Sequence, residues 1–254
     1  MRELLEQVLT IATEADRAIM AVYGREFDVT VKTDNSPLTE ADQAAHKVIL
    51  RGLQALSLAY PILSEEDVEG FSGVGEEGRY WLVDPLDGTK EFIKRNDEFT
   101  VNIALIEHGV PILGVVTAPA LGIAYIAAEG VGAFSIDTIG QRHSIKVAGK
   151  PAPGTLWRVL GSRSHSSPAL SVWLDRLDAY EIQPMGSSLK SCLIAEGKAD
   201  VYPRLGPTSL WDTAAAHAVV RYAGGRVETL EGKLLSYANP SETLNPSFVV
   251  WGHP

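Results

Sequence analysis

Apolar positions recur with helical spacing at the start of the chain. Leucine, isoleucine, valine and alanine return every three or four positions over residues 3–22, which predicts an amphipathic helix. A second helix is predicted from about residue 38 to residue 58. Apolar segments bounded by glycine or proline turns then predict successive strands at residues 99–106, 112–117, 122–127 and 132–135.

The second half of the chain alternates between strand and helix patterns. A connector rich in proline and glycine, residues 148–154, predicts an N-terminal α+β half over residues 1–150 and a C-terminal α/β half over residues 151–254, within one compact domain. The pattern alone limits the fold class to α/β or α+β. Strands are predicted at residues 157–162, 199–204, 226–229 and 248–251, and helices at residues 168–177, 187–196 and 210–223.

Composition and charge narrow the classes of function. The only cysteine among the 254 residues, Cys192, fits a buried helix position, and a chain without disulfides suits the cytoplasm. Acidic residues near the N-terminus interrupt any signal-peptide core, and no apolar run reaches the roughly 18 residues of a membrane span. A net charge of −10 argues against a nucleic-acid polymer as partner, but not against a small anionic substrate.

The segment from Tyr80 to Thr89 carries the most informative motif. Its apolar start predicts a buried strand that ends near Asp84, because Pro85 cannot donate to a β-ladder. Asp84 and Asp87 then lie on one turn, where two carboxylates repel each other unless a proton or cation lies between them. Hard divalent cations prefer such oxygen ligands. A solvated turn is the alternative, and these residues alone leave it open.

Three further acidic segments favour the metal interpretation. Glu65 follows a short apolar stretch, and Asp212 opens an alanine-rich helix. Asp42 lies near the start of the second helix, where Thr39 and Asp42 have the spacing of a capping pair. Each has a structural alternative, since acidic pairs are common on surfaces and Asp212 could cap its own helix.

Together these segments resemble the magnesium-dependent, lithium-sensitive phosphatases of the inositol monophosphatase superfamily. The resemblance implies an α/β fold of the α+β layered type, an inositol-monophosphatase-like α-β-α-β-α sandwich. It implies two or three Mg²⁺ ions per active site. One ion would bind Glu65, Asp84 and the carbonyl of Leu86, a second would bind Asp84, Asp87 and Asp212, and a third would bind Glu65 and, through water, Asp42.

The resemblance also assigns Asp42 and Thr89 as the catalytic pair that orients and deprotonates the attacking water. A threonine hydroxyl can accept a proton only if it passes its own to a carboxylate, which Asp42 supplies. Gly88 and Thr89 begin a predicted short helix whose free N–H groups suit a phosphate oxygen. A purely structural N-cap at Thr89 is the alternative.

The segments after Thr89 resemble the bacterial 3′(2′),5′-bisphosphate nucleotidases of the CysQ type within that superfamily. The residues Lys90-Glu91-Phe92 carry this likeness together with residues 98–103. Cations at Lys190 and Arg204 would hold the phosphate that is not cleaved, unless they are solvated surface residues. The substrate-binding residues implied by this resemblance are Gly88, Thr89, His165 beside the adenine, Gly186, Ser187, Lys190 and Arg204.

The implied reaction is the hydrolysis of 3′-phosphoadenosine 5′-phosphate to AMP and phosphate in sulfate assimilation. The sulfated analogue, giving adenylyl sulfate, is a second implied substrate. An inositol monophosphatase or another sugar-phosphate phosphatase is the alternative, and a non-catalytic nucleotide sensor is more remote. We expect a cytoplasmic monomer or homodimer without a transmembrane segment; peripheral association with the inner membrane stays open.

Overall fold

The computed structural model describes residues 1–27, 29–31, 37–161 and 168–254. The helices in these ranges are α1 (Arg2–Tyr23), α2 (Glu40–Gln54), α3 (Thr89–Ile93), α4 (Pro168–Leu174), α5 (Leu189–Ala195) and α6 (Ala214–Tyr222). The strands are β1 (Val29–Val31), β2 (Pro37–Thr39), β3 (Ile62–Ser64), β4 (Arg79–Asp87), β5 (Thr100–Glu107), β6 (Val110–Ala118), β7 (Ile123–Ala128), β8 (Gly132–Ile136), β9 (Arg142–Ser144), β10 (Trp157–Gly161), β11 (Tyr180–Pro184), β12 (Val201–Arg204), β13 (Arg226–Thr229) and β14 (Phe248–Trp251). Within those ranges, no helix combines the length and the apolar character that crossing a bilayer requires.

Strands β3 to β9 form a seven-stranded sheet in which spatial order follows chain order. All neighbours are antiparallel except β3 and β4, which are parallel. Helices α1 and α2 cover one face, where their apolar stripes share a core with alternate residues of β4, β5 and β6. The helical periodicity of residues 3–22 is therefore the pattern of a buried face, as predicted.

A second sheet has the strand order β11-β10-β12-β14-β13. Helices α5 and α6 pack between the two sheets, and α4 covers the outer face of the second sheet. The predicted α-β-α-β-α sandwich is thus confirmed. Cys192 of α5 is fully buried in the core between the sheets, as its sequence context indicates.

The predicted end of the strand at Asp84 is wrong by three residues, because β4 continues to Asp87. Asp84 pairs with Asn102 and Asp87 pairs with Thr100, so three residue steps on β4 match two on β5. This bulge accommodates Pro85, since a bulge interrupts the ladder that would otherwise require an N–H donor. Both carboxylates therefore lie on an irregular strand end and not on a free turn.

Two predicted helix starts are also corrected. Helix α2 begins at Glu40, because Thr39 is extended (φ −118°) and serves as its N-cap. Helix α6 begins at Ala214 after an N-cap at Thr213, so Asp212 is not the cap of that helix. The Asp212 side chain therefore does not cap the start of this helix.

Candidate active site

Three carboxylates converge where β3, β4 and the segment before α6 meet. Oxygen atoms of Glu65, Asp84 and Asp212 all lie within 4.8 Å of one another. The parallel pairing of β3 with β4 sets this spacing, because the backbone N–H of Glu65 donates to the carbonyl of Val83 at 3.1 Å. The sequence-based assignment placed Asp212 with Asp84 and Asp87 at one ion, and Glu65 with Asp84 at another. Asp87 borders the same cleft but lies outside this closest group.

Burial makes the negative charge of this cluster costly. Asp84 is 1% exposed, and its burial raises the pKa well above the ordinary range, with repulsion from Glu65, Asp87 and Asp212 adding to the effect. The pKa of Asp212 is raised in the same way, first by burial and then by Asp87. A set of oxygen donors that repel one another is relieved by a hard divalent cation, so the side chains fit a metal centre.

The Asp87 carboxylate is held by groups from both halves of the chain. Its Oδ2 accepts a hydrogen bond from the backbone N–H of Ser188 at 2.6 Å and one from the Thr100 hydroxyl at 3.4 Å. Burial raises the pKa of Asp87, whereas the nearby Lys190 ammonium and the Ser188 hydrogen bonds lower it. Asp87 thus faces both the acidic cluster and a cation.

Ser188 links the two ends of the site and was missed by sequence reasoning. Its hydroxyl donates to the backbone carbonyl of Asp212 at 2.7 Å and accepts from the side-chain amide of Asn102 at 3.0 Å. Together with its N–H bond to Asp87, this fixes the start of α5 against the end of β4. No local sequence pattern distinguishes a bridging role for Ser188 from that of an ordinary turn serine.

Asp42 and Thr89 come together across the N-termini of α2 and α3. The Thr89 hydroxyl lies 3.3 Å from Oδ1 of Asp42 and 3.4 Å from the carbonyl of Leu86. Oδ2 of Asp42 accepts from the backbone N–H of Thr39 at 2.8 Å and from its hydroxyl at 2.6 Å, which confirms the predicted capping pair. One carboxylate oxygen is thus structural, and the other faces Thr89.

The N-cap alternative for Thr89 is not supported. Gly88 occupies the N-cap position of α3 with φ +94°, and Thr89 is the first helical residue. Glycine is favoured at such a positive φ, and a Cβ there would lie 3.2 Å from the carbonyl oxygen of Glu98. The Thr89 side chain is therefore available to Asp42.

A cavity of about 390 Å³ adjoins the carboxylates between β4, α3, α5 and the second sheet. Five residues predicted to bind substrate, together with Asp87 and Asp212 from the acidic centre, line this cavity. The five are Gly88, Gly186, Ser187, Lys190 and Arg204. The seventh predicted substrate residue, His165, lies outside the residues that the structure describes.

Lys190 is buried, so the surface alternative fails for this residue. Its side chain is 7% exposed, and its ammonium donates to the carbonyl of Ser187 at 2.7 Å and lies 5.4 Å from the ring centre of Tyr202. Burial lowers the pKa of Lys190 to about 8, against the opposing effect of Asp87. A buried ammonium next to an open cavity is suited to an anion.

Ser187 and Arg204 each have a buried atom that finds no hydrogen-bond partner among the residues that the structure describes. These atoms are the Ser187 hydroxyl oxygen and Nε of Arg204, whose Nη2 is held by the carbonyl of Pro207 at 2.8 Å. Ser187 has φ +44°, an uncommon conformation for a residue other than glycine. Such strain and unmet polar capacity are typical of sites that bind a polar ligand.

Gly186 is required by close approach of the chain. A Cβ at this position would lie 2.7 Å from the carbonyl oxygen of Glu98, closer than carbon and oxygen can pack. Its N–H donates to Oε2 of Glu98 at 2.7 Å. Gly186 therefore anchors the segment that leads to Ser187 and α5 against the chain just before β5.

Further cations and aromatic rings that were not assigned from the sequence also line the cavity. Lys90 and Lys94 add two cations, and Tyr202 and Phe248 add aromatic rings 6.1 Å apart. The lysines are four positions apart around α3, so their shared face could have been predicted. The aromatic residues sit on strands of the second sheet, and no local pattern relates them to the acidic motifs.

With this geometry established, comparison with known proteins identifies the family. The model of the inositol monophosphatase family matches residues 1–250. The chain belongs to the inositol monophosphatase family. A curated family member from Escherichia coli O157:H7, the 3′(2′),5′-bisphosphate nucleotidase CysQ, is 51% identical over 249 residues, covering 97% of this chain and 99% of its own.

Solved structures of the inositol monophosphatase family agree in fold. CysQ from Bacteroides thetaiotaomicron has a TM-score of 0.82 and 36% identity, covering 99% of this chain and 97% of its own. Inositol monophosphatase from Anabaena sp. PCC 7120 has a TM-score of 0.76 and 24% identity, covering 99% and 91%. The second likeness concerns the fold alone, since the sequences have diverged.

Proposed function

We propose that this protein is a magnesium-dependent 3′(2′),5′-bisphosphate nucleotidase that converts 3′-phosphoadenosine 5′-phosphate to AMP and phosphate. The observation that carries the proposal is the sharing of Asp87, Gly88 and Asp212 between the acidic cleft and the cationic cavity. Among the described residues, carboxylates dominate the lining of the cleft, whereas the adjoining cavity is lined by the cations Lys90, Lys94, Lys190 and Arg204. A substrate with two phosphates needs a metal-binding region for one phosphate and a cationic region for the other, next to each other.

The relatives named CysQ support the same substrate class. They are named 3′(2′),5′-bisphosphate nucleotidases and match this chain over nearly its full length, at 51% identity for the Escherichia coli protein. We therefore favour this nucleotide over inositol phosphate. Conversion of the sulfated analogue to adenylyl sulfate, within sulfate assimilation, belongs to the same proposal.

Glu65, Asp84, Asp87, Asp212 and the Leu86 carbonyl would hold two or three Mg²⁺ ions. When bound, such ions neutralise phosphoryl charge and lower the pKa of a coordinated water. The protein contributes the arrangement of oxygen donors, which the bulge of β4 and the pairing of β3 with β4 keep in place. Asp42 would contribute to a third, weaker site through water.

Asp42 and Thr89 are proposed to orient the attacking water and remove its proton. The Thr89 hydroxyl would accept the proton as its own passes to Oδ1 of Asp42, 3.3 Å away. The capping bonds from Thr39 to Oδ2 keep Asp42 from rotating away. A fixed base of this kind acts at the step of water attack.

Lys190, Arg204 and Ser187 are proposed to bind the 5′-phosphate, which is not cleaved. The free N–H groups near Gly88 and Thr89 would meet the 3′-phosphate at the start of α3. His165 is proposed to lie beside the adenine. Lys90 and Lys94 extend the cationic edge of the same cavity.

The decisive experiment compares kcat/KM for adenosine 3′,5′-bisphosphate with that for inositol 1-phosphate, each with Mg²⁺ and with a chelator. We expect a strong preference for the nucleotide and no turnover without metal. A preference for inositol phosphate would instead establish the sugar-phosphate alternative. Tight nucleotide binding with no turnover at saturating Mg²⁺ would indicate the sensor.

A further inference from the structure

A second cavity of about 390 Å³ lies on the outer face of the second sheet. Side chains alternate across a strand, so Phe248 borders the substrate cavity whereas its neighbours Val249 and Trp251 face outward. The two cavities are therefore separated by the thickness of the sheet. A volume of this size falls within the roughly 300–1,000 Å³ of small-molecule sites.

The walls of this outer cavity are aromatic. Three of the five tryptophans of the chain line it, namely Trp157, Trp173 and Trp251. The ring of Trp251 lies 6.2 Å from that of Trp157 and 5.8 Å from that of Trp173, at interplanar angles of 72° and 46°. The Arg226 guanidinium covers one face of Trp251, 5.6 Å from the ring centre, so the wall offers a planar ligand ring edges and the remaining faces.

The rim of the cavity is cationic, although the chain carries a net charge of −10. Lys150, Arg176 and Arg226 line it, against the single carboxylate of Glu228, which accepts from Nε of Arg226 at 2.9 Å. In the described parts of the chain, neither Lys150 nor Arg176 has an ion-pair partner within 4 Å. The cavity therefore has an excess of positive charge.

Hydrogen-bonding capacity on the wall is also unmet. Nε1 of Trp251 and Nε2 of His253 are buried and have no hydrogen-bond partner in the described part of the chain. Indole can only donate, and the Arg226 guanidinium, 3.1 Å from Nδ1 of His253, favours the tautomer with the proton on Nε2. The Pro254 carbonyl, 3.2 Å from the same Nδ1, is exposed and can bond to water instead.

We propose that this outer cavity binds a planar aromatic anion of the mononucleotide class. The base would lie against Trp157 and Trp251, and the phosphate would meet Lys150 and Arg176 at the rim. Cations, donors and ring faces together select a ligand that has both a ring and a negative group. The proposal does not depend on the reaction at the acidic cleft.

NMR spectra of the five indole N–H groups of the protein allow a test that distinguishes binding at the outer cavity from binding at the active site. Trp211 precedes Asp212 and reports on the active site, whereas Trp157 and Trp251 report on the outer cavity. During titration with AMP, we expect the Trp157 and Trp251 signals to shift saturably. Adenosine, which lacks the charge, and inorganic phosphate, which lacks the ring, should each bind at least about tenfold more weakly.

A matched pair of charge reversals provides the control. Lys150→Glu with Arg176→Glu should weaken the AMP response of Trp251 at least about tenfold and leave that of Trp211 unchanged. Lys47→Glu with Arg51→Glu on α2 makes the same change in net charge far from the cavity and should leave both responses intact. Three outcomes would overturn the proposal. They are a shift of the Trp211 signal alone, equal affinity for adenosine and AMP, and an unchanged Trp251 response in the Lys150→Glu, Arg176→Glu variant.

Discussion

Asp84 illustrates how one buried side chain couples chemistry to stability. It is fully enclosed beside three other carboxylates, and burial is the main cause of its raised pKa. Without a cation, this charge opposes folding, because desolvation and repulsion act in the same direction. A carboxylate proposed to bind metal is therefore unfavourable for the stability of the metal-free fold.

Asp84→Asn should remove activity and stabilise the metal-free protein. We expect turnover of adenosine 3′,5′-bisphosphate to fall by several orders of magnitude, because a carboxylate proposed to hold the metal is lost. Thermal unfolding without metal should move to a higher temperature, and the further rise on adding Mg²⁺ should shrink. Glu69→Gln, at an exposed carboxylate, should change neither quantity; near wild-type turnover in Asp84→Asn would refute the metal assignment.

A substitution at Thr89 should affect catalysis more than substrate binding. Thr89→Ala should lower kcat by on the order of 10²–10⁴, the range of general acid–base effects, with little change in KM. Thr89→Ser keeps the hydroxyl and should recover most of the rate. Steady-state kinetics of both variants decide the matter, since equal losses in the two would show that the methyl group matters and the hydroxyl does not.

Asp16 forms a hydrogen bond that connects helix α1 to the first sheet. Oδ1 of Asp16 accepts from the Thr117 hydroxyl of β6 at 2.5 Å. Burial at this contact raises the pKa of Asp16 to about 7, although the Thr117 hydrogen bond opposes the rise. Helix packing has therefore enclosed a carboxyl group that the amphipathic pattern would place at the edge of the apolar stripe.

The Asp16 contact predicts a pH dependence of stability. Between about pH 4 and pH 7 the unfolded chain has released the Asp16 proton while the folded chain keeps it, so stability from this residue falls as pH rises. Each pKa unit corresponds to about 1.4 kcal/mol, so the change is a few kcal/mol at most. Asp16→Asn should remove this slope.

Urea unfolding of wild type and Asp16→Asn at pH 4, 6 and 8 measures the effect directly. The active-site carboxylates titrate equally in both proteins, so the difference isolates Asp16. We expect the variant to gain stability relative to wild type as the pH increases. A difference that stays constant from pH 4 to pH 8 would contradict the raised pKa.

Element prediction succeeded where burial leaves a periodic pattern. The strands at residues 226–229 and 248–251 were predicted at the bounds that the structure has, and α1 within one residue at each end. Strand β11 was missed, because all five of its residues are exposed and only its parallel pairing with β10 makes it a strand. Strand β9 is likewise exposed and lacks alternation.

The candidate site depends on the whole molecule, because both halves of the chain contribute carboxylates and cations to it. Arg204 lies at the end of β12 in the second sheet, and Asp84 and Asp87 lie on β4 in the first. Hydrogen bonds from Ser188 to Asp87 and Asp212 hold the halves in register. The distance between the acidic cleft and the proposed binding region of the 5′-phosphate is thus set by the packing of α5 between the sheets.

Arg204→Ala should reduce kcat/KM for adenosine 3′,5′-bisphosphate by on the order of tenfold to a hundredfold. Hydrogen bonds to charged groups contribute about 1.5–3 kcal/mol, which corresponds to this range. The same change should barely affect 3′-AMP, which lacks the 5′-phosphate and should already be a poor substrate. Arg221→Ala on the exposed side of α6 is the matched control; equal losses on both substrates would place Arg204 at the cleaved phosphate or in the fold.

By itself, the sequence determined the layered fold class, the acidic motifs and their relation to a phosphatase family. The evidence for these properties is local, since periodic burial patterns and short motifs each involve residues that are close together in the chain. The tertiary structure decided which carboxylates meet, how Ser188 joins them, and that Lys190 is buried beside Asp87. It also decided that Trp157, Trp173 and Trp251 line one cavity. Such contacts join residues far apart in the chain, and only the packing of two sheets around shared helices brings them together.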